Sequence, residues 1–138
     1  MAYLLDTNVL SELRKGARAD SKVRQWAAAT LNQRHFISVL SLGEIRKGIE
    51  RLRPRDPAQT VVLEQWLGTL KADFGDDILA LTDEVADRWG FLMAGTPLSV
   101  TDALIAATAL THGLTVVTRN VADFTPSGVS VVNPFASP

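Results

Sequence analysis

Residues 3–16 read YLLDTNVLSELRKG. A short apolar run, Tyr3–Leu5, closes on the carboxylate of Asp6, and polar Thr7 and Asn8 follow at once. The run has the composition of a buried strand. A carboxylate at its end either punctuates an Asx turn or stands at the mouth of a sheet, where it can hold a metal ion. The remainder of the chain decides between the two.

Further along, strand-like and helix-like pieces alternate. Asp20 stands as a helix cap before SKVRQWAAATLNQ, and HFISVLS (His35–Ser41) reads as a second strand. Ser41-Leu42-Gly43-Glu44 has the spacing of a capping box. The helix it opens, LGEIRKGIERLR, puts Leu42, Ile45, Ile49 and Leu52 on one face, with Pro54 and Pro57 beyond it. A further helix is expected over about 58–72, and a third strand over Asp77–Leu81. A helix follows in TDEVADRWGFLMAG, capped by Thr82. The clearest helix is SVTDALIAATALTHG (Ser99–Gly113), stopped by Gly113. LTVVT and VSVV supply a fourth and a fifth strand. With no internal repeat or long linker, residues 1–138 read as a single domain with one core. Strands alternating with helices predict an α/β fold whose mainly parallel sheet of about five strands is covered on both faces. In such sheets the ligand crevice lies outside the carboxyl ends of the strands, the side on which Asp6 stands.

Composition narrows the class. Hydrophobic residues make up 46% and charged residues 21%, which argues for a folded globular chain over a disordered one. No apolar run approaches the ~20 residues of a membrane span, and the N-terminus lacks the pattern of a signal peptide. The absence of Cys excludes disulfides and thiolate metal sites and suits a reducing compartment. A cytoplasmic protein with no membrane partner is expected. The net charge of −1 conceals a polarity: residues 1–60 carry eleven Lys/Arg and six Asp/Glu, residues 61–138 three and nine. Such a surface can draw a polyanion to one side, although solvated helix faces account for the same charges.

Four further polar positions share the address of Asp6. Glu44 opens the helix after the second strand, Asp102 lies in the first turn of the Ser99–Gly113 helix, and Asn120 and Asp123 follow the fourth strand. Each has a local explanation: Glu44 and Asp102 as capping residues favoured by the helix dipole, Asn120 and Asp123 as loop residues. Their joint placement on one rim is harder to explain that way. A carboxylate at the entrance of a helix as apolar as ALIAATAL is costly unless paired or metal-bound. Clustered carboxylates raise one another's pKa, and a divalent cation removes the conflict. All-oxygen ligands select magnesium or manganese over zinc. His35 and His112 read as structural. Magnesium held by few carboxylates keeps waters and binds phosphate oxygens, so phosphodiester hydrolysis follows from the constellation.

LLDTNVLSEL, ISVLSLGEIRKGI, TDALIAATAL and VVTRNVADF, in this order and spacing, resemble the successive signatures of PIN-domain ribonucleases, most closely the VapC-type (FitB-like) toxins of bacterial toxin–antitoxin operons. The resemblance extends to the terminal VVNPF. It implies a three-layer α/β/α sandwich and Mg2+- or Mn2+-dependent endonucleolytic cleavage of RNA. It implies Asp6 and Asp102 as direct metal ligands and Glu44 as a ligand through water or a group orienting the attacking water. The fourth acidic position of the family falls on Asn120, which brings no negative charge, so Asp123 is a second candidate for it. Thr7, Asn8 and Thr118 are then supporting groups that orient the acids or touch the scissile phosphate. The implied partners are an RNA substrate, a VapB-type antitoxin, a second copy of the chain in a homodimer, and operator DNA through the antitoxin alone. A PIN-like module that binds RNA or antitoxin without cutting, and a PIN nuclease of RNA processing outside any toxin pair, are the alternatives.

Five of the ten residues in Arg46–Arg55 are basic. Arg46 and Lys47, just after Glu44, are placed to hold RNA phosphates. A solvated face with Glu50 as partner explains them equally. Arg14, Lys15 and Arg119 are further candidates of the same kind. Trp26, Trp66 and Trp89 read as core or interface residues, with base stacking the minor reading, and WGFLMAG as core or a dimer contact. A phosphatase using an aspartyl-phosphate needs an acid where Asn8 stands, and a receiver domain needs an N-terminal acidic pair and a late Lys. Neither pattern is present.

Overall fold

The computed structural model describes residues 1–136. Five strands form one sheet: β1 (Ala2–Leu5), β2 (Arg34–Ser38), β3 (Ile78–Leu79), β4 (Thr115–Val117) and β5 (Val131–Val132). Their order is β3-β2-β1-β4-β5, and every neighbouring pair is parallel. The helices are α1 (Thr7–Leu13), α2 (Ser21–Ala29), α3 (Val39–Leu52), α4 (Pro57–Phe74), α5 (Asp83–Gly95), α6 (Val100–His112) and α7 (Val121–Phe124).

Successive side chains of a strand point to opposite faces, and β1, in the middle of the sheet, is apolar on both. Leu4 packs on one side with Val85 and Leu92 of α5, Ile105 and Ala106 of α6, and Phe124 of α7. Tyr3 and Leu5 pack on the other with Val9 of α1, Ile45 and Ile49 of α3, and Leu67 of α4. These two cores make the three-layer α/β/α sandwich.

Most capping expectations match. Asp20 accepts from the N–H groups of Lys22 and Val23, Thr82 from Val85, and Gly113 closes α6 with φ +67°. The join of β2 and α3 departs from expectation. The strand stops at Ser38, whose hydroxyl accepts from the Leu40 N–H and caps the helix. Val39 and Leu40 extend the apolar pattern of the strand without a break, which hid the change of period. Ser41 therefore sits buried inside the first turn, its hydroxyl without a hydrogen-bond partner. The proposed capping box does not form, and Glu44 belongs to the second turn. β3 is also shorter than Asp77–Leu81, because Leu81 turns out to solvent. α1 and α7 were not separately legible.

Candidate functional site

β1 delivers its last backbone bond from the Asp6 N–H to the Val117 carbonyl of β4, 2.9 Å away. The chain turns into α1 there, and Asp6 becomes its cap: Oδ1 accepts from the Thr7 N–H at 2.9 Å. Oδ2 faces β4 and accepts from the Thr118 hydroxyl at 2.9 Å and the Asn8 amide at 3.3 Å. Asn8 also donates to the Thr118 hydroxyl at 3.1 Å and accepts from the Arg119 N–H at 3.1 Å. The Asn120 N–H donates to the same hydroxyl at 3.1 Å. Residues more than 100 positions apart are thus tied into one polar knot at the carboxyl ends of β1 and β4.

Glu44 joins this knot from α3. Its Oε1 accepts from the Thr7 hydroxyl at 2.8 Å, so Thr7 serves Asp6 through its backbone and Glu44 through its side chain. Asp102 stands in the first turn of α6, its N–H bound to the capping hydroxyl of Ser99 at 3.1 Å. Its half-buried carboxylate accepts no hydrogen bond among the described residues. Burial pushes the Asp6 carboxyl above its ordinary pKa. The hydrogen bonds from Thr118 and Thr7 oppose that rise, and the negative charges of Glu44 and Asp102 add to it. Asp6 therefore feels both other acids. Among the described residues, no three of His, Asp and Glu converge closely enough to form a ready-made metal cage.

The side chains of the remaining candidates are not drawn in. Asn120 is exposed and caps α7 without a side-chain bond, and Asp123 is exposed in the first turn of α7. The Arg46 guanidinium is held by Glu50 at 3.0 Å and by Glu64, as the solvated-face explanation has it. Lys47 is exposed and forms no ion pair among the described residues. Arg119 lays its guanidinium over the Phe135 ring, 3.8 Å from the centroid. His35 is structural: its Nε2 lies 3.0 Å from the Thr30 hydroxyl, and its ring packs against Tyr3 and Trp26.

Beside Thr7 and Glu44 lies a cavity of about 250 Å³ that runs between α1 and α3 to Trp66 of α4. Arg14 borders it, its guanidinium 5.7 Å from the Trp66 ring centroid. The sequence held a faint signal of this groove in Thr7, Ser11 and Arg14, which share one face of a helix at i, i+4 and i+7.

The arrangement has relatives. A VapC ribonuclease, Y4jK, of Sinorhizobium fredii is 30% identical over 137 residues, covering 96% of each chain. Toxin FitB of Neisseria gonorrhoeae is 29% identical, covering 96% of this chain and 97% of its own. The crystal structure of FitAcB from Neisseria gonorrhoeae superposes with a TM-score of 0.86 at 29% identity, covering 96% of this chain and 98% of that one. The DNA-bound VapBC of Salmonella typhimurium gives 0.73 at 25% identity, covering 97% and 98%. Residues 3–124, the span from β1 to the end of α7 that carries every acid discussed above, match the PIN domain, and the chain belongs to the PIN-domain family.

Proposed function

We propose that this protein is the ribonuclease toxin of a toxin–antitoxin pair, a hydrolase that cuts RNA phosphodiester bonds with the help of Mg2+ or Mn2+. The observation that carries the reading is the Asp6 carboxylate, oriented by Thr7, Asn8 and Thr118 and charged against Glu44 and Asp102. The VapC and FitB relatives and the FitAcB and VapBC assemblies supply the class and the kind of partner.

The donor chemistry fits a hard dication: three carboxylates, no thiolate, and a buried carboxyl whose ionised form needs positive charge nearby. Magnesium is commonly held by one or two carboxylates, with water and substrate phosphate completing its shell. A compact three-acid cage is therefore not required. Asp6 and Asp102 would hold the ion and Glu44 its water shell. When bound, such an ion acts as a Lewis acid and lowers the pKa of water.

The chain's own groups do the rest. Thr118 and Asn8 fix Oδ2 of Asp6 and the Thr7 N–H fixes Oδ1, so that the carboxylate is directed before substrate arrives. Thr7 holds Glu44 in the orientation needed to accept a proton from an attacking water. The scissile phosphate approaches the rim formed by Thr7 and Asn8. Asn120 carries no charge, so the fourth acidic role is either absent or passes to Asp123. A small antitoxin protein covering this rim would silence it.

Purified protein should cleave RNA in Mg2+ or Mn2+ and stop in EDTA; cleavage undiminished by chelator would refute the metal role. A protein that binds RNA or antitoxin tightly yet never cuts would establish the non-cutting module instead, the reading that Asn120 favours.

A further inference from the structure

We propose that Arg14 and Trp66 form a nucleotide subsite next to the acids, with an RNA base lying on the indole and a flanking phosphate on the guanidinium. The proposal rests on the ribonuclease reading and extends it to the residues that hold the substrate.

Three observations support it. The groove is continuous with the site, because Thr7 and Glu44 line it together with Arg14 and Trp66. Thr7 and Arg14 are two helical turns apart on α1, roughly 10 Å, a distance comparable to one or two nucleotides of single-stranded RNA. Arg14 is exposed and makes no ion pair among the described residues; its guanidinium lies over the Trp66 ring. Two basic residues of or next to the adjoining helix, Arg46 and Arg53, are instead bound to Glu50 and Glu64. Arg14 is the basic residue lining this groove, and among the described residues no carboxylate competes for it. Gly48 of α3 also lines the groove, and nothing lies within 4 Å of where its Cβ would be. The wall facing α1 stays open at that point.

A half-buried indole at the groove wall, with a guanidinium over its ring, suits single-stranded nucleic acid, whose bases stack without regard to sequence and whose phosphates seek cations. An apolar peptide would use Trp66 but gain nothing from Arg14, and an acidic one would meet the Glu44 carboxylate at the other end. RNA meets the same carboxylate, but there the reaction itself needs it.

The test measures binding of a fluorescein-labelled 12-nucleotide RNA of mixed sequence in EDTA, so that nothing is cut, over a range of salt concentrations. Trp66→Leu should weaken binding about 5- to 100-fold, the range for loss of one stacked base, with the salt slope unchanged. Trp66→Phe should restore most of that loss. Arg14→Gln, an exposed change that leaves the core alone, should weaken binding and lower the salt slope by about 0.7. RNA binding by Trp66→Leu and Arg14→Gln equal to that of the unaltered protein would overturn the subsite while leaving the nuclease reading intact. If those variants bind RNA normally but lose a co-expressed protein inhibitor, the groove serves a protein and the proposal falls. Failure of the unaltered protein to bind or cut RNA at all would remove the underlying reading, and this subsite with it.

Discussion

The Thr118 hydroxyl has one hydrogen to give and two lone pairs to offer, and all three are used: it donates to Asp6 and accepts from Asn8 and the Asn120 N–H. Thr118→Val keeps the shape and removes all three bonds. It should cost about 1–3 kcal/mol, since two donors lose their acceptor in a buried place. Its hydrogen bond is also the largest influence holding the Asp6 pKa down, so the carboxyl should rise further. On the proposed mechanism, the Mg2+ concentration for half-maximal cleavage should then rise about 10- to 100-fold, with Thr118→Ser close to the unaltered protein. Asp6 itself carries a testable sign. Its folded pKa lies above 3.8, so the fold prefers the protonated carboxyl, and without metal the protein loses stability as pH rises from 3.8 through the raised value. Asp6→Asn should abolish cleavage and yet lose less stability than its three broken or weakened hydrogen bonds imply. Thermal melts in EDTA at pH 4 and pH 7 check this, the difference between the two pH values shrinking in the variant. The placements of Asp6, at a strand end, and Asp102, in the first turn of a helix, were legible, whereas Glu44 stands a turn deeper in its helix than expected. The partner of Glu44 was not, because spacing along a chain reveals contacts within a turn, whereas Thr7 lies 37 residues away and meets Glu44 only when α1 packs beside α3.

α3 and α4 are joined by an ionic clip on their outer face. Arg46 and Arg53 share Glu50 and Glu64, whose carboxyls are held down to about 2 by those guanidinium hydrogen bonds. A depressed carboxylate pKa contributes stability that is complete above the ordinary value of 4.5 and disappears as pH falls toward about 2. All four groups face solvent, so the effect is small and screened by salt. Unfolding by urea at pH 6, 4 and 2.5 should show the loss, and Glu64→Gln should flatten it. The same helix carries Gly43 in its interior, exposed, with open space where a Cβ would go. Gly43→Ala should stabilise the protein by about 0.5–1 kcal/mol in the same assay, since only the backbone entropy of the unfolded chain changes. Helix starts were readable wherever a side-chain cap preceded an unambiguous change of period, as at Asp20 and Thr82. At Ser38 the apolar run crosses from strand into helix, and hydrophobicity alone marks no boundary there.

Alternating strands and helices made a parallel, doubly covered sheet legible from the sequence, since parallel neighbours demand crossovers and crossovers here are helical. The order β3-β2-β1-β4-β5 was not legible, because it is set by which side of β1 each crossover returns to. That order puts the first strand in the centre, and Leu4→Ala, removing a fully buried side chain between α5, α6 and α7, should cost about 2–5 kcal/mol. A central first strand also governs when the molecule becomes dangerous. One neighbour of β1 is complete by residue 38, but the other begins only at Thr115, and the hydroxyl that aims Asp6 arrives at Thr118. A polypeptide still being synthesised therefore emerges with its acids unassembled. On the proposed function, a nuclease built in this order gains its activity only after translation has all but finished.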